Sequence, residues 1–209
     1  MRLRLTFIGP PGSGKGTQAK LLRPLGFLQV SSGDMLRADI AAGTARGKAI
    51  AATVAAGGLV EDEVLLEVVG ELVRRHERDS LVFDGYPRTL AQARQAASLG
   101  LDAAVFFEVS DAVLRRRLGD RVMGPDGTIY DLQLYPPPSG LPVTRRADDD
   151  PEVQKKRLAT YRADEAGLRG FYAAAGLAHA IHADLPMEQV QAEVAALVTK
   201  LGRPVAPVG

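Results

Sequence analysis

No cysteine occurs among the 209 residues, and tryptophan and asparagine are missing as well. The first absence removes disulfides, thiolate zinc sites and thiol nucleophiles together, and the lack of asparagine removes every N-glycosylation acceptor. A charge imbalance is also lacking. The 26 basic residues stand against 25 acidic ones for a net of +1, so no global field selects nucleic acid or an anionic membrane, and any anion must be held locally. No apolar run approaches the roughly 20 residues that span a bilayer, and the chain enters a strand-like run without a charged and then apolar leader. A cytoplasmic protein with no membrane or nucleic-acid partner is the expectation. What is present in quantity is apolar material, 46% of the residues, enough for a sizeable core.

Five short apolar runs stand out: LRLTFI (3–8), FLQV (27–30), LVF (81–83), AAVFFEV (103–109) and AHAIHA (178–183). Helical spacing separates them, most clearly in EDEVLLEVVGELVRRHE, where Val64, Leu65, Val68, Val69, Leu72 and Val73 recur every three to four residues. Strands alternating with helices predict an α/β fold around a doubly covered, parallel five-stranded sheet. Ser31 and Asp34 have capping-box spacing before MLRADIAAG, and Glu61 and Asp62 open the periodic helix. Two stretches break the alternation. Residues 32–60 hold two short helical segments broken at Gly43, and residues from about 119 to 150 carry Gly-Pro and Pro-Pro punctuation around the strand-like TIYDLQL. Both read as insertions into one domain covering 1–209, and the closing GRPVAPVG reads as a frayed tail.

The first run leads into GPPGSGKGTQAK (9–20). A strand entering a glycine-rich turn and then a helix exposes backbone N–H groups to an anion, and the glycines keep side chains out of its way. Lys15 adds a charge that can follow a phosphoryl group, and Thr17 adds a hydroxyl. The strict P-loop pattern places Ser or Thr directly after the lysine; here Gly16 intervenes. A tight turn with an incidental lysine is the competing explanation, and both strand context and spacing weigh against it. LVFDGYPRT (81–89) then delivers Asp84 at the carboxyl end of a buried strand, where open parallel sheets bind ligands. A carboxylate there can hold the waters of a magnesium ion, and Arg88 can neutralise a transferred phosphoryl group.

With SSGDMLR (31–37), GGLVEDE (57–63), DGYPRTLAQA (84–93) and RADDDPEVQKKRL (146–158) added in order, the sequence resembles the long-lid adenylate kinases over nearly its whole length. The resemblance implies a P-loop kinase fold with two inserted flaps, an AMP-binding flap at 32–60 and a lid at 119–156. It implies ATP, AMP and ADP as ligands, magnesium with ATP, and a monomer. Carried onto matching positions, Gly12, Ser13, Gly14, Lys15, Gly16 and Thr17 would hold ATP phosphates, with Arg117, Arg121, Tyr130 and Leu185 completing the ATP site. Ser32, Arg37, Gly58, Leu59, Val60, Gly85, Tyr86, Pro87, Arg88 and Gln92 would form the AMP site. Arg146 and Arg157 would close over the phosphates of both substrates. Lys15, Asp84, Arg88, Arg121, Arg146 and Arg157 form the implied catalytic set. Near the end HADLP replaces the family's usual DG, so a base contact near Leu185 would come from backbone.

Arginine outnumbers lysine 20 to six, and in RRRLGDR we read Arg115 and Arg116 as a solvated helix face, with Arg117 and Arg121, four apart, as functional. A kinase of UMP or CMP, a P-loop kinase of a small metabolite, and a non-catalytic nucleotide switch are the alternatives. Without asparagine a guanine-reading Asn-Lys-x-Asp element is impossible. In the lid, where some family members carry a four-cysteine zinc site, Met123 and Asp126 occupy the first two places. We therefore expect no zinc and a lid held by apolar packing of Met123, Ile129, Leu132, Leu134 and prolines 136–138.

Overall fold

A computed structural model describes residues 2–146 and 149–202; Met1, Ala147, Asp148 and the tail from residue 203 lie outside the described residues. The five apolar runs become β1 (Arg4–Ile8), β2 (Phe27–Ser31), β3 (Ser80–Asp84), β4 (Ala103–Glu108) and, after a short hairpin of β5 (Arg121–Met123) and β6 (Ile129–Asp131), β7 (Ala178–His182). The main sheet runs in the order β2-β3-β1-β4-β7, with every pair parallel. Around it lie α1 (Lys15–Leu21), α2 (Ser32–Ala41), α3 (Ala45–Ala55), α4 (Asp62–Arg75), α5 (Leu90–Ala96), α6 (Asp111–Gly119), α7 (Pro151–Ala174) and α8 (Met187–Lys200).

Strand alternation distributes the core between the two faces of the sheet. Leu5 and Phe7 of β1, Val82 of β3 and Val105 and Phe107 of β4 face one way, against Ala19, Leu22, Val190 and Val194 of α1, its exit and α8. On the other face Leu81 and Phe83 meet Leu65, Val69 and Val73 of α4, while Ile8 and Phe106 meet Leu168 and Tyr172 of α7. The end of the sheet away from the strand carboxyl termini is tied by Arg4, only 6% exposed. Its guanidinium donates to the Leu99 and Glu77 carbonyls, and its backbone N–H donates to Asp102 Oδ2 at 2.7 Å.

The chain leaves β1 toward β2 on one side and returns from β3 to β4 on the other, so the strand order reverses beside β1 at the carboxyl end of the sheet. That is the place such folds bind ligands. Both irregular stretches emerge at this end: α2 and α3 between β2 and β3, and the β5–β6 hairpin between α6 and α7. Ser31 caps α2 by accepting from Asp34 N, and Thr44 caps α3 by accepting from Gly47 N.

Only three residues of TIYDLQL are strand. Asp131 accepts from Gln133 N and Leu134 N at 2.9 and 2.8 Å and turns the chain away. The expected apolar packing does not include Leu132 and Leu134, which are 46% and 49% exposed, while Met123 and Ile129 are half-buried. The hairpin is also held by hydrogen bonds. Met123 pairs with Thr144 through an antiparallel bridge, its sulfur accepts from Arg146 Nε at 3.3 Å, and Asp126 accepts from Thr128 N and Oγ1.

Candidate active site

The site grows from the turn between β1 and α1. Gly12 and Gly14 adopt φ values of +83° and +89°, left-handed conformations that glycine enters without strain. At Gly12 a side chain is excluded twice, since a Cβ there would also meet Leu118 at 2.9 Å. Gly16 is constrained differently: a Cβ would lie 3.0 Å from Asp84 Oδ2. The departure from the strict phosphate-loop pattern therefore has a local cause, because Asp84 occupies the space that a serine or threonine would need.

Lys15 folds back on its own loop. Its Nζ donates to the Gly9 and Pro10 carbonyls at 2.7 and 2.8 Å and to Ser13 Oγ at 3.1 Å. Burial lowers its pKa to about 7, Asp84 opposes the shift, and Arg88, Arg157 and Arg121 add to it. Burial likewise raises the pKa of Asp84, against the pull of Lys15 and Arg88, and Gln29 Nε2 donates to its Oδ2 at 3.3 Å. The lysine ammonium is poorly solvated among cations. A bound polyanion would reverse that balance.

These groups open into a cleft of about 880 Å³ lined by seven arginines and two lysines against four aspartates. Gly12 to Thr17, Arg37, Leu59, Asp84, Gly85, Pro87, Arg88, Arg117, Arg121, Tyr130, Arg146, Arg157 and Leu185 all line it. Five of the residues anticipated from the sequence do not. Ser32 is buried and donates to Gly85 O at 2.8 Å; Val60 and Tyr86 are buried in the core; Gly58 lies behind the wall, with its N–H donating to Thr53 O. Gln92 is fully buried, donating to Asp62 Oδ1 at 2.6 Å and accepting from Arg88 N at 2.7 Å.

The arginines are carried by different elements. Arg88 follows β3, and its Nε donates to Gly85 O at 2.7 Å. Arg37 on α2 is engaged by Asp34, which also lies 3.8 Å from Arg146. Those arginines hold the Asp34 carboxyl below its usual range although burial opposes the shift. Arg121 pairs with Asp149, a buried carboxylate that also accepts from Arg146 N at 3.0 Å and Gln154 Nε2 at 3.2 Å. Arg117 donates to the Leu185 carbonyl at 3.3 Å. Burial lowers its pKa, with Arg116 contributing. Arg157, on α7, packs its stem where a Cβ on Gly57 would meet it at 3.0 Å.

Sequence reasoning missed four residues here. Arg116, read as a solvated face, is exposed but lines the cleft beside Arg117. Gln29, Asp34 and Asp149 hold site residues in place. Asp34 was legible as a cap, yet nothing in its spacing marks a contact with Arg146, 112 positions later in the chain.

So many cations around a lysine-bearing glycine loop call for a ligand with several negative charges, and the parallel sheet with its β1 turn makes the molecule a P-loop kinase. A family model for adenylate kinase matches residues 7–177. Among curated relatives named adenylate kinase, one from Rhizobium etli is 38% identical over 95% of this chain and the whole of its own length. One from Nitrobacter winogradskyi is 34% identical over 99% of this chain and 98% of its own. A third, from Azorhizobium caulinodans, is 39% identical over 90% and 94%. The chain belongs to the adenylate kinase family, whose members are nucleoside monophosphate kinases.

Proposed function

We propose that this enzyme transfers a phosphoryl group reversibly from ATP to AMP, giving two ADP. The observation that carries the reading is the convergence of Lys15 and arginines from β3, α2, the lid region and α7 on one cleft. Head-to-head nucleotides bring many negative charges together, and a loose phosphoryl-transfer transition state needs cations from several sides with water excluded.

In this reading the loop amides and Lys15 hold the donor phosphates, and Arg117, Tyr130 and the Leu185 backbone flank the donor base. Arg37, Leu59, Gly85, Pro87 and Arg88 receive AMP. Gln92 meets the acceptor base by exchanging Asp62 for it, while Ser32, Gly58, Val60 and Tyr86 shape the wall from behind. Arg88, Arg121, Arg146 and Arg157 surround the transferred group. Residues 32–60 and 119–156 act as flaps that close over the two substrates.

Among the described residues no group of three or more His, Cys, Asp or Glu could hold a metal ion. That suits magnesium, which keeps waters and substrate phosphates as ligands and asks the protein for few carboxylates. Asp84 and Thr17 are the oxygen donors beside the loop. Bound there with ATP, the ion would neutralise charge developing on the phosphates; Asp84 would orient its waters. No helix among the described residues is long and apolar enough to cross a membrane. The reading gives the enzyme nucleotides as its ligands, a monomeric state, a cytoplasmic location and no structural zinc.

The test is transfer from ATP, with magnesium, to AMP, GMP, CMP and UMP in parallel. AMP should be strongly preferred. A preference for UMP or CMP would overturn the adenylate reading and leave a kinase standing.

A further inference from the structure

Met187, the first residue of α8, is held through its backbone from two directions. Its carbonyl accepts from Gln18 Nε2 of α1 at 3.1 Å. Its N–H donates to the hydroxyl of Tyr135, from the segment after β6, at 3.2 Å. The same hydroxyl donates to Glu188, 3.2 and 3.5 Å from the two carboxylate oxygens. Helix α8 has no capping side chain of its own, because Pro186 stands at the N-cap. Tyr135 therefore supplies, from another element, an acceptor for one of the N–H groups that the first turn of a helix leaves without an intrahelical partner. The hairpin is also tied from outside by Lys20, whose Nζ donates to Gly127 O at 2.9 Å.

We propose that Tyr135 is a positioning residue that latches the lid to the start of α8 through its hydroxyl, and so fastens the donor-nucleotide half of the cleft. Tyr135, Met187 and Gln18 all line that cleft alongside Arg117 and Leu185. Because the hydroxyl is both acceptor and donor, it satisfies the Met187 N–H and Glu188 at once. Phenylalanine would keep the ring and lose both bonds. The latch touches no residue from α2 or α3, so its effect falls on the donor and spares the acceptor. The donor assignment rests on the function proposed above; the latch itself does not.

Tyr135→Phe, Glu188→Ala and the double variant, compared with the wild type, test this. In nucleotide-free protein the amides of 127–135 and Met187 should exchange several-fold faster in Tyr135→Phe and less so in Glu188→Ala. The double variant should match Tyr135→Phe in exchange of 127–135, since among the described residues Tyr135 is the side chain through which Glu188 reaches that segment. The KM for ATP should rise about threefold to tenfold, the range of one ordinary hydrogen bond, with the KM for AMP within twofold of the wild type. Unchanged exchange in Tyr135→Phe, additive effects in the double variant, or an equal rise in both KM values would overturn the latch. A wild-type enzyme that fails to phosphorylate AMP would instead overturn the function, and the exchange result would still judge the latch.

Discussion

Gly16 and Asp84 share one volume: a Cβ on the glycine would stand 3.0 Å from the carboxylate oxygen Oδ2. The contact is tighter than most side-chain packing, so a methyl group on Gly16 would push the Asp84 carboxylate, which Gln29 also contacts at 3.3 Å, aside by a few tenths of an ångström. Gly16→Ala should lower the turnover number about tenfold, less than the roughly hundredfold to thousandfold that outright loss of a preorganised electrostatic group costs, because Asp84 is displaced and not removed. It should shift the melting temperature little. In combination with Asp84→Ala the losses should fail to add; full additivity would show that the glycine acts independently of the carboxylate.

Lys15 predicts a proton-linked binding event. Its pKa of about 7 lies below the ordinary 10.5 because burial outweighs Asp84, and donor phosphate would restore the charged form. At pH 8, where the terminal phosphate of ATP is already ionised, binding should draw up to one proton per site. Calorimetry in buffers of different ionisation enthalpy would measure the uptake, and Lys15→Met should abolish it. The sign for stability follows from the same shift. Between about pH 7 and the unfolded value near 10.4 the unfolded chain binds more protons than the folded one, so nucleotide-free protein should gain stability as pH rises through that window. A flat or falling profile there would contradict it.

Arg88→Ala should act on the chemical step. The guanidinium is anchored at Gly85 O and its backbone N–H at Gln92, so the charge is positioned before substrate arrives. A fall in turnover of about a hundredfold to a thousandfold is expected. A rise in the KM for AMP alone, at unchanged turnover, would assign the residue to binding.

Asp149→Ala should harm folding more than most cleft substitutions. Asp149 is 7% exposed, and removing it takes away the carboxylate that pairs with Arg121 and accepts from Arg146 N. Breaking such a buried pair costs about 3–5 kcal/mol, measurable by denaturant titration or as faster exchange around 121–123. ATP should restore part of the loss, because phosphate replaces the missing negative charge beside Arg121. Equal destabilisation with and without ATP would argue that the pair is purely structural.

Much of this is legible in the amino-acid sequence. The strands were legible because a parallel sheet covered on both faces needs short, continuous apolar runs, and the phosphate loop was legible because its glycines are demanded by backbone geometry. The hairpin was not. TIYDLQL has strand composition, but Asp131 turns the chain after three paired residues, and Met123 proved a partner for Arg146 where only apolar packing was foreseen. Arg116 is not legible as a cleft residue because a helix face at the rim of a cleft is exposed to solvent and to ligand alike. Asp149 escaped because its partner Arg121 is 28 positions away, beyond any helical or hairpin spacing.

The tie at Arg4 has a practical side. The turn that it fastens, Glu77 to Asp79, is exposed and lies at the opposite end of a five-residue strand from Asp84, about 17 Å away. Since the chain has no cysteine, Arg78→Cys would introduce a single thiol there. A surface or dye tethered through that thiol would hold the enzyme by its heel, leaving the cleft and both insertions facing outward, so immobilised molecules should turn over at the rate of free ones.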